Sequence, residues 1–262
     1  MVKRIFKPLK KGANNMRQDN ETDFGNKDIG RLLRVCQEKV VDRQKMLLKE
    51  IFDEGKQPLG LDDGTIVIPS TAENPVALVA HYDNVHGSYG YNDNGMSLVA
   101  ILGMLNELPS NVEVVFTNGE ERGFTGARNY LERRHSLPRY CVNLDVVGVG
   151  DRIYIDKLNS IDLDCMEGMV EGCMPGNDGF IFSNKGIGSV CLSASYGDDF
   201  SKGISQIYRT IHNARDDNKI DKLTFGFLPQ VRDAVKRIVN EVNEKNGDLV
   251  RKKEKGLLTL DW

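Results

Sequence analysis

The sequence predicts an α/β fold in three layers, with helices on both faces of a mixed, mostly parallel central sheet. Short apolar runs that suit strands alternate along the chain with longer amphipathic segments that suit helices. One of these runs, Val76–Ala80, is apolar at every position, which is typical of a central strand buried on both faces. At 262 residues the chain is long enough for one such domain.

The first predicted elements are helical and are followed by a short strand. Apolar residues recur among charges over residues 28–54 at the spacing of one or two amphipathic helices. Asp62, Asp63 and Gly64 indicate a turn, after which residues 65–68 are predicted to form a strand. The other predicted elements are strand 76–80, helix 96–108, strand 112–116, helix 123–134, strand 140–147, strand 189–193 and helix 228–242.

The two ends of the chain are predicted to lie outside the folded domain. Residues 1–24 are basic and polar, so we expect a disordered leader there, followed by a single domain over residues 25–250 and a short tail over 251–262. The leader has no apolar core of the kind that marks a secretory signal, and no run approaches the roughly 18 apolar residues of a membrane-spanning helix. These observations predict a cytoplasmic protein with no membrane partner.

The net charge and the cysteine content of the chain indicate which other partners and cross-links to expect. The net charge is −3, whereas proteins that bind duplex nucleic acid usually carry a basic face, so we expect no nucleic acid partner. The five cysteines are odd in number and form no C-x-x-C pair, which favours buried, reduced thiols over a disulfide framework. The sequence leaves the oligomeric state open.

Acidic and histidine side chains follow the predicted strands, at or near the point where each strand ends. His81 and Asp83 come directly after Val76–Ala80, and Asp93 lies in a Gly- and Asn-rich loop before the next helix. The others are Glu120 and Glu121 after strand 112–116, Asp145 near the end of strand 140–147, and His212 beyond a possible further strand. Because sites in layered α/β sheets form in loops at strand ends, we expect these side chains to lie together.

Two histidines with several carboxylates favour divalent metals, zinc above all. Two zinc ions carry a charge of +4, and Asp93, Glu121 and Asp145 with one hydroxide balance it, so the cluster is neutral and costs less to bury. Glu120 is then available as a general base, and Asp83 can hydrogen-bond the second ring nitrogen of a ligand histidine. The sequence therefore predicts two zinc ions per chain.

These residues lie in motifs that resemble the aminopeptidase Y and bacterial leucyl aminopeptidase family of zinc enzymes, to which glutamate carboxypeptidase II and the glutaminyl cyclases are related. The matching segments, in order, are VALVAHYDNV, NDNGMS, VVFTNGEERGFTGARNYL, NLDVVG and IHNARDD, within residues 60–225. Each motif alone is weak, but five in the right order are specific. The resemblance implies a zinc-exopeptidase-like fold with Glu120 as catalytic base. It implies as metal ligands His81, Asp93, Glu121, Asp145 and His212, and it makes Asp83 the residue that supports His81.

The same resemblance implies further details of the site. The segment Gly176–Phe180 resembles one that lines the substrate side of the pocket, which makes Asn177 and Asp178 candidate substrate-binding residues. A histidine common in that segment is Gly179 here. The family also often has a cis peptide bond after the aspartate that bridges the metals, which corresponds to Asp93 and Asn94.

The predicted function is that of a zinc-dependent aminopeptidase, a hydrolase that removes the N-terminal residue of a peptide or small amide through a metal-activated water. Two alternatives stay open. One is glutaminyl cyclisation on a single zinc ion, in which the substrate's own amine attacks. The other is a non-enzymatic binding protein that kept the fold. Retention of the base and of all five ligand positions favours hydrolysis.

Some residues near the site have roles that the sequence leaves open. His86 is either a loop residue without a metal role or a contact to the substrate. Tyr196 and Tyr208 either pack in the ordinary way or donate a hydrogen bond to the oxyanion of the reaction. The sequence pattern favours neither interpretation for any of these residues.

Overall fold

The structure, a computed structural model, describes residues 18–159, 163–174, 176–212 and 218–257. Within these ranges the α-helices are α1 (Gln18–Val35), α2 (Val40–Asp53), α3 (Met96–Met104), α4 (Thr125–Glu132), α5 (Asp178–Asn184), α6 (Phe200–Thr210) and α7 (Leu228–Leu257). The strands are β1 (Leu59–Gly60), β2 (Ile66–Ile68), β3 (Val76–His81), β4 (Val112–Thr117), β5 (Tyr140–Leu144), β6 (Arg152–Leu158), β7 (Met169–Glu171) and β8 (Gly188–Ser195).

The strands form one sheet in the order β1-β2-β4-β3-β5-β8-β6-β7. The central strands β4, β3, β5 and β8 run parallel to one another, while β2 is antiparallel to β4 and β6 is antiparallel to β8. Parallel neighbours need crossover connections, which α3, α4 and α5 supply. The predicted mixed, mostly parallel sheet is confirmed.

Helices cover both faces of the sheet, as predicted. In β3 the alternation of side chains sends Val76, Leu78 and Ala80 into a core shared with α1, α2, α3 and α7. Ala77 and Val79 enter a second core, on the opposite face, that is shared with α4 and α5. The apolar residues of 76–80 therefore pack into two cores, one on each face of the sheet. The strand ends at the middle of the sheet edge where the candidate site lies.

The chain ends differ from the prediction of two polar segments outside the domain. Helix α1 begins at Gln18, inside the predicted leader, and α7 continues to Leu257, inside the predicted tail. The second half of α7 is rich in Lys, Glu and Arg, which have high helix propensity, so the helix does not stop where its apolar face ends. Residues 1–17 and 258–262 of the predicted leader and tail lie outside the described residues.

Several elements were not predicted from the sequence, namely β1, β6, β7, α5 and α6. His212 accordingly follows helix α6 and not a strand. The five cysteines all lie in the described part of the chain and form no disulfide, but Cys165 is half-buried and Cys173 exposed, so the prediction of buried thiols is wrong for these two. None of the helices in the described ranges has the length and apolarity needed to cross a membrane.

Candidate active site

His81 is the last residue of β3, and its side chain is buried under the loops that follow the parallel strands. Its Nδ1 atom lies 3.2 Å from the main-chain oxygen of Asp83 and 3.6 Å from the carboxylate of that residue. The main-chain oxygen of Asp83 is thus the nearer partner of Nδ1, and the carboxylate that was predicted to support the ring lies slightly farther away. The carboxylate also accepts the backbone N–H of Glu120 at 3.2 Å.

Asp93 is placed by the two asparagines that flank it. The chain is kinked here, and the peptide bond from Asp93 to Asn94 is cis, as the resemblance implied. The side chain of Asn94 donates to the main-chain oxygen of Leu144 at 2.9 Å, and that of Asn92 accepts the N–H of Gly148 at 2.9 Å. These bonds join the loop to the segment that follows β5, and the sequence analysis assigned neither asparagine a role.

Glu120 and Glu121 lie in the loop between β4 and α4. The close approach of α4 fixes this loop, because a Cβ atom on Gly126 would lie 2.6 Å from the main-chain oxygen of Asn118. Glycine is therefore required at that point of the helix for it to pack directly on the loop. The carboxylates of Asp83 and of the two glutamates are thus held by β3, β4 and α4 together.

Asp145 and His212 reach the site from the side of β8. The N–H of Asp145 donates to the main-chain oxygen of Leu192 at 2.9 Å, and its own main-chain oxygen accepts the hydroxyl of Ser193, so β5 stays paired with β8 beyond its last residue. His212 has a left-handed backbone conformation with a φ of 51°, and its side chain is 55% exposed. It is the most exposed of the predicted ligands.

Asp93 connects the two histidines through its two carboxylate oxygens. Its Oδ1 lies 3.0 Å from Nε2 of His81, which is also 3.5 Å from Oδ1 of Asp145. Its Oδ2 lies 3.1 Å from Nε2 of His212, which is also 3.0 Å from Oε2 of Glu121. The structure therefore brings all five predicted ligands together, as two sets that share Asp93.

The spacing and chemistry of these groups fit divalent metal ions. Neighbouring ligands of a tetrahedral zinc ion with bonds of 2.0–2.2 Å lie about 3.3–3.6 Å apart, close to the distances within each set. Ligand atoms of His81, Asp93 and Glu121 all lie within 4.8 Å of one another. The buried Oε1 atom of Glu121 accepts no hydrogen bond from the described part of the chain, so it is available to a cation.

The carboxylates produce a strongly negative potential at the site. Hydrogen bonds to Asp93 and Glu121 raise the pKa of His212 to about 10. Burial alone would lower the pKa of His81, but nearby carboxylates, Glu120 first among them, raise it well above its ordinary value. Burial would raise the pKa of Asp93, yet the two histidines hold it below its usual range. An excess of negative charge of this kind favours bound cations.

Glu120 stands apart from the two ligand sets. Burial raises the pKa of Glu120 to about 9, and the positive charge of His81 opposes this shift while Asp145 and Asp178 add to it. Its carboxylate forms no ion pair with either histidine of the cluster, in contrast to that of Glu121. A carboxyl group with a raised pKa beside a metal site is a candidate for proton transfer.

A small cavity of about 80 Å³ adjoins the cluster on the β5 and β8 side. Its apolar wall is made by Val146, Met174, Ile207 and Ile211, and Tyr208 also lines it. Ile207 and Tyr208 lie in α6, Ile211 directly follows it and Met174 follows β7, and neither element was predicted, so most of this wall could not be predicted from the sequence. The cavity also borders Asp93, Glu120, Asp145 and His212.

The two predicted substrate-binding residues are placed differently. Asn177 lines the cavity, and its side-chain oxygen caps α5 by accepting the N–H of Gly179 at 2.9 Å. Asp178 does not line it, because its side chain turns under the site and accepts the hydroxyl of Thr117. Burial raises the pKa of Asp178 to about 7. The prediction that Asp178 contacts the substrate is therefore corrected to a buried position beneath the cluster.

Curated relatives match a limited part of the chain. A vacuolar membrane protease of Colletotrichum graminicola is 35% identical over 100 residues, which are 34% of this chain and 9% of that protein. One of Saccharomyces cerevisiae is 32% identical over 101 residues, 35% of this chain and 10% of that protein. The matched segment thus spans about a tenth of these relatives. Their names contradict the predicted cytoplasmic location, which is wrong because it relied only on the absence of apolar segments.

Solved structures match more of the chain. The Legionella pneumophila LapA aminopeptidase aligns with a TM-score of 0.67 and 13% identity over 90% of this chain and 77% of that one. A zinc aminopeptidase from Bacillus subtilis aligns with a TM-score of 0.57 and 22% identity over 68% of this chain and 50% of that one. A glutaminyl cyclase from Tannerella forsythia aligns with a TM-score of 0.57 and 14% identity over 84% of this chain and 97% of that one. At these identities the similarity shows the fold, and it confirms the predicted zinc-exopeptidase-like architecture.

The family match covers the whole candidate site. Residues 65–225 match Peptidase family M28, a range that begins before β3 and ends after α6. It includes the two ligand sets and Glu120, and it excludes α1, α2 and α7. The predicted relationship to a family of peptidases, and with it the predicted hydrolase class, is confirmed. The chain belongs to peptidase family M28.

Proposed function

We propose that the protein is a zinc-dependent aminopeptidase that binds two zinc ions per chain and hydrolyses the first peptide bond of its substrate. The observation that carries the proposal is the position of Asp93, whose two oxygens each face a different histidine. One ion would be held by His81, Asp145 and Asp93, and the other by His212, Glu121 and Asp93. The match to a structure described as a zinc aminopeptidase supports zinc as the metal.

Glu120 is the proposed general base. When bound, the zinc ions would polarise the scissile carbonyl group, lower the pKa of water and favour the carboxylate form of Glu120. Glu120 takes a proton from the attacking water and passes it to the leaving amine. Asp83 accepts the N–H of Glu120 and so holds the base against the end of β3.

The shape of the cavity supports cleavage at the end of a peptide. A cavity of about 80 Å³ is far below the roughly 300–1,000 Å³ of pockets that hold a larger ligand, so it accommodates one side chain. A substrate chain can therefore extend from the cluster in one direction only. The apolar wall of Val146, Met174, Ile207 and Ile211 favours an apolar N-terminal residue.

Replacement of the base tests the proposal. We expect Glu120→Gln to lower kcat by about 10²–10⁴-fold on amino-acid amides with apolar side chains, because the proton transfer is lost. Bound zinc, measured per chain by atomic emission, should stay at two, since Glu120 is not in either ligand set. The control is Glu132→Gln, an exposed position on α4, which should match the wild-type protein.

Metal content and turnover of the same wild-type protein also distinguish hydrolysis from the two alternatives, cyclisation and non-catalytic binding. One zinc ion per chain, together with release of ammonia from peptides with N-terminal glutamine, would favour cyclisation over hydrolysis. Two zinc ions without any turnover of either substrate class would favour a binding protein. No bound metal would contradict the assignment of both ligand sets.

A further inference from the structure

A second groove, of about 720 Å³, opens on the other side of the cluster. It shares Asp83 and Glu121 with the site, whereas the small cavity borders Asp145 and His212. In the sheet, β4 lies on one side of β3 and β5 and β8 lie on the other. The groove is therefore on the β4 side of the cluster, and the cavity is on the β8 side.

The groove has apolar walls and a rim with two basic residues and one acidic residue. Val40 and Val41 at the start of α2 line it, as does Val85 in the loop after β3. Lys39 and Arg122 are exposed at the rim and form no ion pair with any described residue, and Glu38 is the exposed acidic residue there. With two exposed cations against one exposed carboxylate, the groove suits an uncharged or acidic side chain better than a basic one.

One wall of the groove lies outside the family match. The family match begins at residue 65, after the wall formed by Lys39, Val40 and Val41. The groove is thus lined partly by the loops after β3 and β4, which lie within the family match, and partly by residues at the junction of α1 and α2, which lie outside it. Its specificity cannot be carried over from relatives that match residues 65–225 alone.

We infer that this groove receives the residue that follows the cleaved bond, and that it favours an apolar or acidic residue there over a basic one. The inference rests on the proposed aminopeptidase function. With the N-terminal residue in the small cavity, the rest of the peptide would leave the cluster past Glu121, which lines the groove. His86 lines the groove, which assigns this histidine to the substrate path.

A charge placed on the wall tests the inference. Val41→Glu is suitable because Val41 is 54% exposed, and Phe52→Glu is the matched control, since Phe52 lies on the same helix and is 52% exposed. Leucinamide, which has no residue after the cleaved bond, is compared with Leu-Glu-amide, Leu-Phe-amide and Leu-Lys-amide. Lys39→Glu serves as a second variant at the rim.

We expect wild-type kcat/KM to be higher for Leu-Phe-amide and Leu-Glu-amide than for Leu-Lys-amide. Val41→Glu should lower kcat/KM for Leu-Glu-amide about three- to tenfold and raise it for Leu-Lys-amide, as expected for charges several ångströms apart near a protein surface. Lys39→Glu should act in the same direction. Leucinamide should change less than about twofold in either variant, and Phe52→Glu should change nothing.

Two results overturn the inference in distinguishable ways. If leucinamide and all dipeptide amides are cleaved but neither Val41→Glu nor Lys39→Glu alters their ratio, the groove does not receive the second residue and the proposed function stands. If the zinc-loaded wild-type protein cleaves neither leucinamide nor any dipeptide amide, the proposed function fails and the inference falls with it.

Discussion

At the scale of single residues, Asp83 connects the end of β3 with the loop of the proposed base. Its main-chain oxygen faces Nδ1 of His81, and its carboxylate accepts the N–H of Glu120. The same residue therefore orients one proposed ligand and positions the proton acceptor. Groups in this position behind a metal ligand commonly change metal affinity or activity by 10–100-fold when they are altered.

We expect Asp83→Asn to weaken zinc binding and lower kcat by about 10–100-fold, because the charge behind His81 is lost while the shape is kept. KM should change little, since Asp83 does not line the small cavity. Zinc affinity is measured by competition with a chelator, and kcat on an amino-acid amide. Asp62→Asn, at a position where the side chain is 89% exposed, is the control. Unchanged affinity and kcat would contradict the positioning role.

The sequence identified the chemistry of the site more completely than the contacts that build it. Glu120 and four of the five proposed ligands could be predicted because histidine and carboxylates after strands have few structural uses. The fifth ligand, His212, follows α6 and was identified through the resemblance of its motif. Asn92 and Asn94 were missed, since asparagines in a Gly-rich loop are common without any long-range role. Asp178 was assigned to the pocket because its motif resembles one that lines it, but the side chain points under the cluster.

At the scale of elements, Glu241 ties helix α7 to the segment before β7. Its carboxylate accepts the N–H groups of Asp164 and Cys165 at 2.5 and 2.7 Å and pairs with Lys245 at 2.6 Å. Burial opposes ionisation, but these hydrogen bonds, together with one from the thiol of Cys165, lower the pKa of Glu241 to about 2. The ionised form therefore stabilises the fold.

We expect Glu241→Gln to lower the free energy of unfolding by about 1–2 kcal/mol at pH 7. The unfolded state binds more protons than the folded state between the ordinary glutamate pKa of about 4.5 and the lowered value of about 2. The stabilisation is therefore complete above pH 4.5 and is lost as the pH falls toward 2, so the two proteins should converge there. Urea unfolding at a series of pH values measures this. A difference that stays constant with pH would contradict it.

Helices and strands could be predicted from the sequence where their apolar residues formed one clear pattern. Strands β3, β4 and β5 are short apolar runs, and α3 has apolar residues on all sides, as buried elements do. Strand β6, by contrast, reads RIYIDKL, in which charged residues interrupt the apolar ones, and α6 buries few of its residues. The length of α7 was underestimated, because its second half is rich in charged residues of high helix propensity and lacks the apolar pattern from which the helix was predicted.

At the scale of the whole molecule, the site concentrates several carboxylates at the centre of the sheet edge. Burial raises the pKa of Asp145 and of Glu120, which shows that their charged forms are disfavoured there. Bound cations would reverse this penalty, and they would bind only the assembled site. The metal is therefore proposed to contribute to the stability of the fold as well as to catalysis.

We expect removal of zinc by a chelator to lower the thermal midpoint by about 8–16 °C, because a ligand at 1,000 times its Kd adds about 4 kcal/mol to stability. Addition of zinc in excess of the chelator should restore the midpoint. Differential scanning fluorimetry measures both steps, and Asp93→Ala, which removes the shared ligand, should show little response to either. An equal response in that variant would indicate that zinc binds elsewhere.

The spacing of the proposed ligands along the chain sets the order in which a newly made molecule acquires its parts. His81, Asp93, Glu121 and Asp145 are synthesised first, and His212 follows only after β8 and α6. Because Asp145 is held by β8, the set around His81 can be completed only once β8 has been made, and the set around His212 follows after α6. The second proposed metal position is therefore completed last, and the proposed peptidase stays inactive on the ribosome until every described strand of its sheet has been made.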